Sequence, residues 1–136
     1  MLDQARIQLL RDAALKALTH AHAPYSGFAV GAALLDSEGK VHSGCNVENA
    51  SFGLSVCAER TAIFKAVSEG VRSFEAIAIA TRAPELTPPC GACRQVLQEF
   101  APQLAVVLVN EKGDTAQYQL SELMPFAFTD FREKEK

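Results

Sequence analysis

The sequence predicts an α/β domain, a three-layer α/β/α sandwich around a mixed five-stranded sheet. Three observations carry this reading. Helical and strand periodicities alternate along the chain in the order α-β-β-α-β-α-β-β-α. Two segments, FEAIAIAT (74–81) and LAVVLVN (104–110), are near-continuous apolar runs, as strands covered on both faces are. The chain of 136 residues has no repeat, linker or low-complexity segment, which suits one domain over 1–136 with one closed core.

Each element has its own justification. In residues 2–20, Ile7, Leu10, Ala14, Ala17 and Leu18 follow the spacing of one helix face. HAPYSGF ends that helix, with Pro24 and Gly27 as breakers. AVGAALLD (29–36) and VHSGCNVE (41–48) read as strands, and SEGK between them makes the pair a hairpin. CAERTAIFKAVSEG (57–70) reads as a helix stopped by Gly70. PPCGACRQVLQEFAP (88–102) is a helix between two proline punctuators, flanked by the two buried strands. EKGD turns the chain into TAQYQL (115–120), an amphipathic strand. SELMPFAFTDF (121–131) starts as a helix and breaks at Pro125.

Composition excludes some classes of partner. The net charge is −3, and the only Lys-rich stretch, FREKEK, is diluted by acids. A nucleic-acid polymer is held by clustered cations, so neither it nor an anionic membrane is an expected partner. Asp3, Arg6, Arg11, Asp12 and Lys16 interrupt the apolar N-terminus, so no signal segment is expected there. No run reaches the roughly 18 apolar residues of a membrane span. A cytoplasmic location is the expectation, and the hydrophobic share of 49% is compatible with surface hidden against other copies of the chain. In a reducing compartment, four cysteines point to metal binding or catalysis before disulfides.

Cys90 and Cys93 form a C-x-x-C at the start of a helix, on one face and near the positive end of the dipole. Alone, the pair reads equally as metal ligands, a redox couple or two buried thiols. Cys57 also opens a helix. Two helix starts facing one point deliver three thiolates, a set that suits Zn²⁺ and leaves a fourth position for water. Glu59, alone, is a first-turn acid that stabilises the dipole. Beside three cysteines it reads as a general base. Three thiolates and Zn²⁺ sum to −1. Arg60 is therefore expected to donate to a cysteine sulfur rather than to form a surface ion pair. Cys45 could close a Cys₄ structural site, but it has no ligand spacing to the others and reads as a buried free thiol. His20, His22 and His42 receive no ligand role. The first two follow a helix C-terminus, and His42 is expected to be solvated.

CAE followed by PCGAC resembles the zinc-dependent cytidine deaminases, specifically the small form with three cysteine ligands. PYSGFAVGAAL, GCNVENASFG, CAERTAIFKA, PPCGACRQVLQEF and the terminal phenylalanines extend the resemblance over nearly the whole chain. It implies one Zn²⁺ per chain on Cys57, Cys90 and Cys93, with Glu59 as proton shuttle. The implied reaction is hydrolytic deamination of cytidine and deoxycytidine by zinc-activated water, a step of pyrimidine salvage. It further implies that the Ala58 backbone touches the base carbonyl and that Phe28 packs on the base. Asn46 and Glu48 would bind the ribose hydroxyls. Phe128 would enter the site of a neighbouring subunit in a homotetramer. Without the resemblance, Asn46 and Glu48 read as turn chemistry and the two phenylalanines as core. A 3′-phosphate would meet Glu48 with like charge, so free nucleosides are the expected substrates. Relatives acting on the cytosine antibiotic blasticidin S share the zinc signature, and the NVEN motif favours cytidine. Phe52 stands where relatives often carry Tyr, and Phe126 where a small residue is common.

Overall fold

A computed structural model of the chain describes residues 2–131. Helix α1 (Gln4–Leu18) starts where the Asp3 carboxylate accepts from the Arg6 N–H at 2.8 Å. The strands are β1 (Val30–Asp36), β2 (Val41–Cys45), β3 (Phe74–Thr81), β4 (Ala105–Asn110) and β5 (Thr115–Gln119). Between β2 and β3 lie a 3₁₀ turn (Phe52–Leu54) and α2 (Ala58–Ser68). Helix α3 (Gly91–Phe100) links β3 to β4, and α4 (Leu120–Leu123) follows β5.

The sheet order is β2-β1-β3-β4-β5, with β3 and β4 parallel and every other neighbouring pair antiparallel. It is the expected mixed five-stranded sheet. Period-2 alternation divides its residues between two cores. Ala33, Leu35, Ala76, Ala78, Ala80, Val107 and Val109 face α1 through Leu10, Ala14 and Leu18. Ala32, Leu34, Ile77, Ile79, Val106 and Leu108 face α2 and α3 through Ala62, Ile63 and Leu97. The near-continuous apolar runs of β3 and β4 thus serve both layers.

Two glycines set how closely the helices lie on the sheet. A Cβ at Gly31 would stand 2.0 Å from the Ala14 carbonyl oxygen of α1. A Cβ at Gly44 would stand 2.5 Å from the Ala62 nitrogen of α2. The second contact matters for chemistry, because α2 carries Cys57 and Glu59 at its start.

Three expectations need correction. The strand VHSGCNVE stops at Cys45, because the Asn46 side chain takes the Val30 N–H at 2.9 Å and Val47 pairs instead with His22 and Val56. His42 is not solvated. It shares a face with Gly44, is 3% exposed, and its Nε2 lies 2.9 Å from Asp36 Oδ2. Cys45 is a free thiol but only half-buried. The last helix ends before Pro125 as expected, a single turn opened by a capping box between Gln119 and Glu122. Among the described residues, no helix is long and apolar enough to cross a membrane.

Candidate active site

Cys57 is the N-cap of α2 and Cys90 the N-cap of α3, with Cys93 in the first turn of α3. Neither N-cap thiol bonds to its own helix start. Cys57 Sγ lies 3.8 Å from Cys90 Sγ, and Cys90 Sγ lies 3.5 Å from Cys93 Sγ. All three ligand atoms lie within 4.8 Å of one another. The convergence follows from the layering, because α2 and α3 cover the same face of the sheet. Cys45 is outside this group.

Without a cation the three thiols compete for negative charge. The Cys93 thiol, with Arg60 and Cys90, pulls Cys57 down to about 5. The Cys57 sulfur and burial in turn push Cys93 up. One thiolate therefore opposes the next, and a divalent cation at the common point removes the conflict. Three sulfur donors on two helix starts fit Zn²⁺ with one coordination position left over. The residues present are positioned to bind one such ion. Arg60 Nη2 donates to Cys57 Sγ at 3.5 Å, while its buried Nε has no protein partner.

Glu59 is 4% exposed in the first turn of α2. Burial raises its carboxyl above the ordinary range, and the negative charge of Cys57 adds to the effect. Cys57, Cys90 and Glu59 share a cavity of about 260 Å³ with Phe28, Asn46 and Glu48. Asn46 is 9% exposed and ties two strand ends together. Its Nδ2 donates to the Phe28 carbonyl at 2.8 Å, while its Oδ1 takes the Val30 N–H. Glu48 Oε1 accepts from the Tyr25 and Ser26 N–H groups at 3.0 Å each, and Oε2 accepts from the Ser26 hydroxyl.

Ala58 is fully buried between Cys57 and Glu59, both of which line the cavity. Phe128 is 64% exposed, and its carbonyl accepts from Gln95 Nε2 at 2.8 Å beside a separate hollow. Reading the sequence missed Ser26, Val30, Ile79, Thr87 and Pro88, all of which line the cavity. Only Ser26 gave a signal, as the polar residue inside a turn that precedes a candidate base-packing Phe. Arg94 was also missed. Its guanidinium donates to the Pro89 and Leu123 carbonyls at 2.8 and 2.9 Å, which fixes the approach to α3.

Residues 4–109 match the cytidine and deoxycytidylate deaminase zinc-binding region. The chain belongs to this deaminase family. A cytidine deaminase of Halalkalibacterium halodurans is 52% identical over 123 residues, which is 90% of this chain and 93% of the relative. One from Sporosarcina psychrophila is 50% identical over 84% of this chain and 85% of its own. The crystal structure of cytidine deaminase from Burkholderia pseudomallei superposes with a TM-score of 0.87 at 51% identity, covering 89% of this chain and 98% of that one. The deaminase fold is therefore the fold described above, and the matched region contains all three cysteines and Glu59.

Proposed function

We propose that this chain hydrolyses cytidine and deoxycytidine to uridine and deoxyuridine, releasing ammonia. The observation that carries the reading is a buried carboxyl, Glu59, sharing one cavity with Cys57 and Cys90, two of three convergent sulfurs. Cys57, Cys90 and Cys93 would hold one Zn²⁺ per chain, which supplies Lewis acidity and so activates water. Glu59 would take one proton from the water whose oxygen bonds to C4 and pass it to ring N3, then take that oxygen's second proton and deliver it to the C4 amino group, so that the C–N bond breaks as the C4 carbonyl forms. A carboxyl with a raised pKa suits both halves of such a shuttle. The reaction balances as one water consumed and one ammonia released. Arg60 offsets the negative charge of the sulfurs.

Phe28 packs on the base and the Ala58 backbone meets its carbonyl. Asn46 and Glu48 receive the ribose hydroxyls, each with hydrogen-bonding capacity beyond its protein contacts. Glu48 also repels a 3′-phosphate, which restricts substrates to free nucleosides and places the enzyme in pyrimidine salvage in the cytoplasm. The exposure of Phe128 away from its own cavity agrees with a homotetramer in which it completes a neighbour's site. The chain acts as a single domain over 1–136.

Ammonia release from a panel of cytosine compounds, blasticidin S included, tests the reading alongside zinc content per chain. We expect about one zinc per chain and turnover of cytidine and deoxycytidine, in line with the zinc-deaminase chemistry. A zinc-loaded protein that releases ammonia from none of them would sink it.

A further inference from the structure

Ser26 occupies the turn between α1 and β1 and contacts two residues of the cavity at once. Its N–H donates to Glu48 Oε1 at 3.0 Å, and its hydroxyl donates to Glu48 Oε2. The same hydroxyl oxygen accepts from the Phe28 N–H at 3.0 Å. The turn needs Gly27, which holds φ at +68° and donates to the Ala23 carbonyl at 2.9 Å. Ser26, Phe28 and Glu48 all line the cavity.

Counting acceptor sites shows what this arrangement leaves. An ionised carboxylate offers about four lone pairs. On Oε1 the Tyr25 and Ser26 N–H groups take two, and on Oε2 the Ser26 hydroxyl takes one. One acceptor site on Oε2 remains. The Ser26 hydroxyl, its N–H and the Tyr25 N–H hold the Glu48 carboxyl below its usual range, so it stays ionised at neutral pH.

We propose that Ser26 is a positioning residue that makes Glu48 a reader of a single sugar hydroxyl, by filling one site of Oε2 and fixing the direction of the other. The inference rests on the reading that Glu48 receives a ribose hydroxyl. It adds that Glu48 accepts one hydroxyl and not two.

The test compares kcat/KM for cytidine and for 2′,3′-dideoxycytidine in the zinc-loaded wild type, Ser26→Ala and Ser26→Thr. Ser26→Ala is expected to lower the cytidine-to-dideoxycytidine ratio about tenfold, mainly through KM, the scale of one hydrogen bond to a charged group. Ser26→Thr keeps the hydroxyl and should keep the wild-type ratio. The lost acceptor for the Phe28 N–H affects both substrates and cancels in the ratio. An unchanged ratio in Ser26→Ala, with both substrates impaired alike or neither impaired, overturns the inference. A wild type that releases no ammonia from cytidine overturns the proposed activity itself. A wild type that turns over both substrates equally well overturns the role of Glu48.

Discussion

At the scale of single residues, the proposed chemistry rests on Glu59. It is buried, stands beside the negative charge of Cys57, and is not among the three cysteine ligands. Glu59→Ala should therefore keep its zinc and lose turnover by about a thousandfold, the range of a general acid–base group. Metal analysis beside an ammonia assay checks both halves, and loss of zinc would mean that Glu59 is structural. Glu59 and the three cysteines were legible in the sequence because helix-start spacing is local and the donor types are few. Ser26, Thr87 and Pro88 were not legible as cavity residues. They reach the cavity because separate loops meet there, and apart from the turn around Ser26 their local sequence does not encode that meeting. Asn46 was legible as a polar residue after a strand, but its grip on the backbone of Phe28 and Val30 was not.

At the scale of elements, the β1–β2 hairpin is closed by a buried hydrogen-bonded pair, Asp36 and His42. Asp36 Oδ1 accepts from the Glu38 and Lys40 N–H groups at 2.9 Å each, and Oδ2 faces His42. The bond to His42, helped by those N–H groups, lowers the Asp36 carboxyl below its usual range. A carboxyl lowered in the folded state stabilises the fold above its unfolded pKa, and that contribution fades as pH falls through the folded value. Asp36→Asn should thus lower the thermal midpoint at pH 7, with the gap to wild type narrowing as pH drops below about 4. Midpoints measured from pH 3 to 7 check this, and a gap independent of pH would mean that Asp36 acts only as a turn acceptor. The strands and helices themselves were legible from periodicity. Their ends were less so, because the ends of β2 and α4 are decided by side chains bonding to backbone, as Asn46 and Gln119 do. His42 was misread because a lone polar residue in a strand carries no sign of which face it takes.

At the scale of the whole molecule, Phe128 stands apart from the cavity of its own chain. If it completes a neighbour's site, Phe128→Ala and Glu59→Ala should complement each other. A mixed assembly contains sites with Glu59 from one variant and Phe128 from the other. Co-refolded mixtures should be several-fold more active than the sum of the separate variants, as shared sites require. Activity equal to that sum would assign Phe128 to its own chain. The sandwich was legible from the order of elements and the two doubly covered strands. The close seating of the helices on Gly31 and Gly44 was not, because a glycine in a strand does not announce what lies over it. The thiols of Cys57 and Cys90 occupy the N-cap positions of α2 and α3, yet neither fastens the helix it begins. A cation held by them becomes a clasp between two helix starts that lack side-chain caps, joining the α2–α3 layer while leaving α1 alone. Chelation should then speed amide exchange at both starts together and spare α1, so that this protein would come undone from one side first.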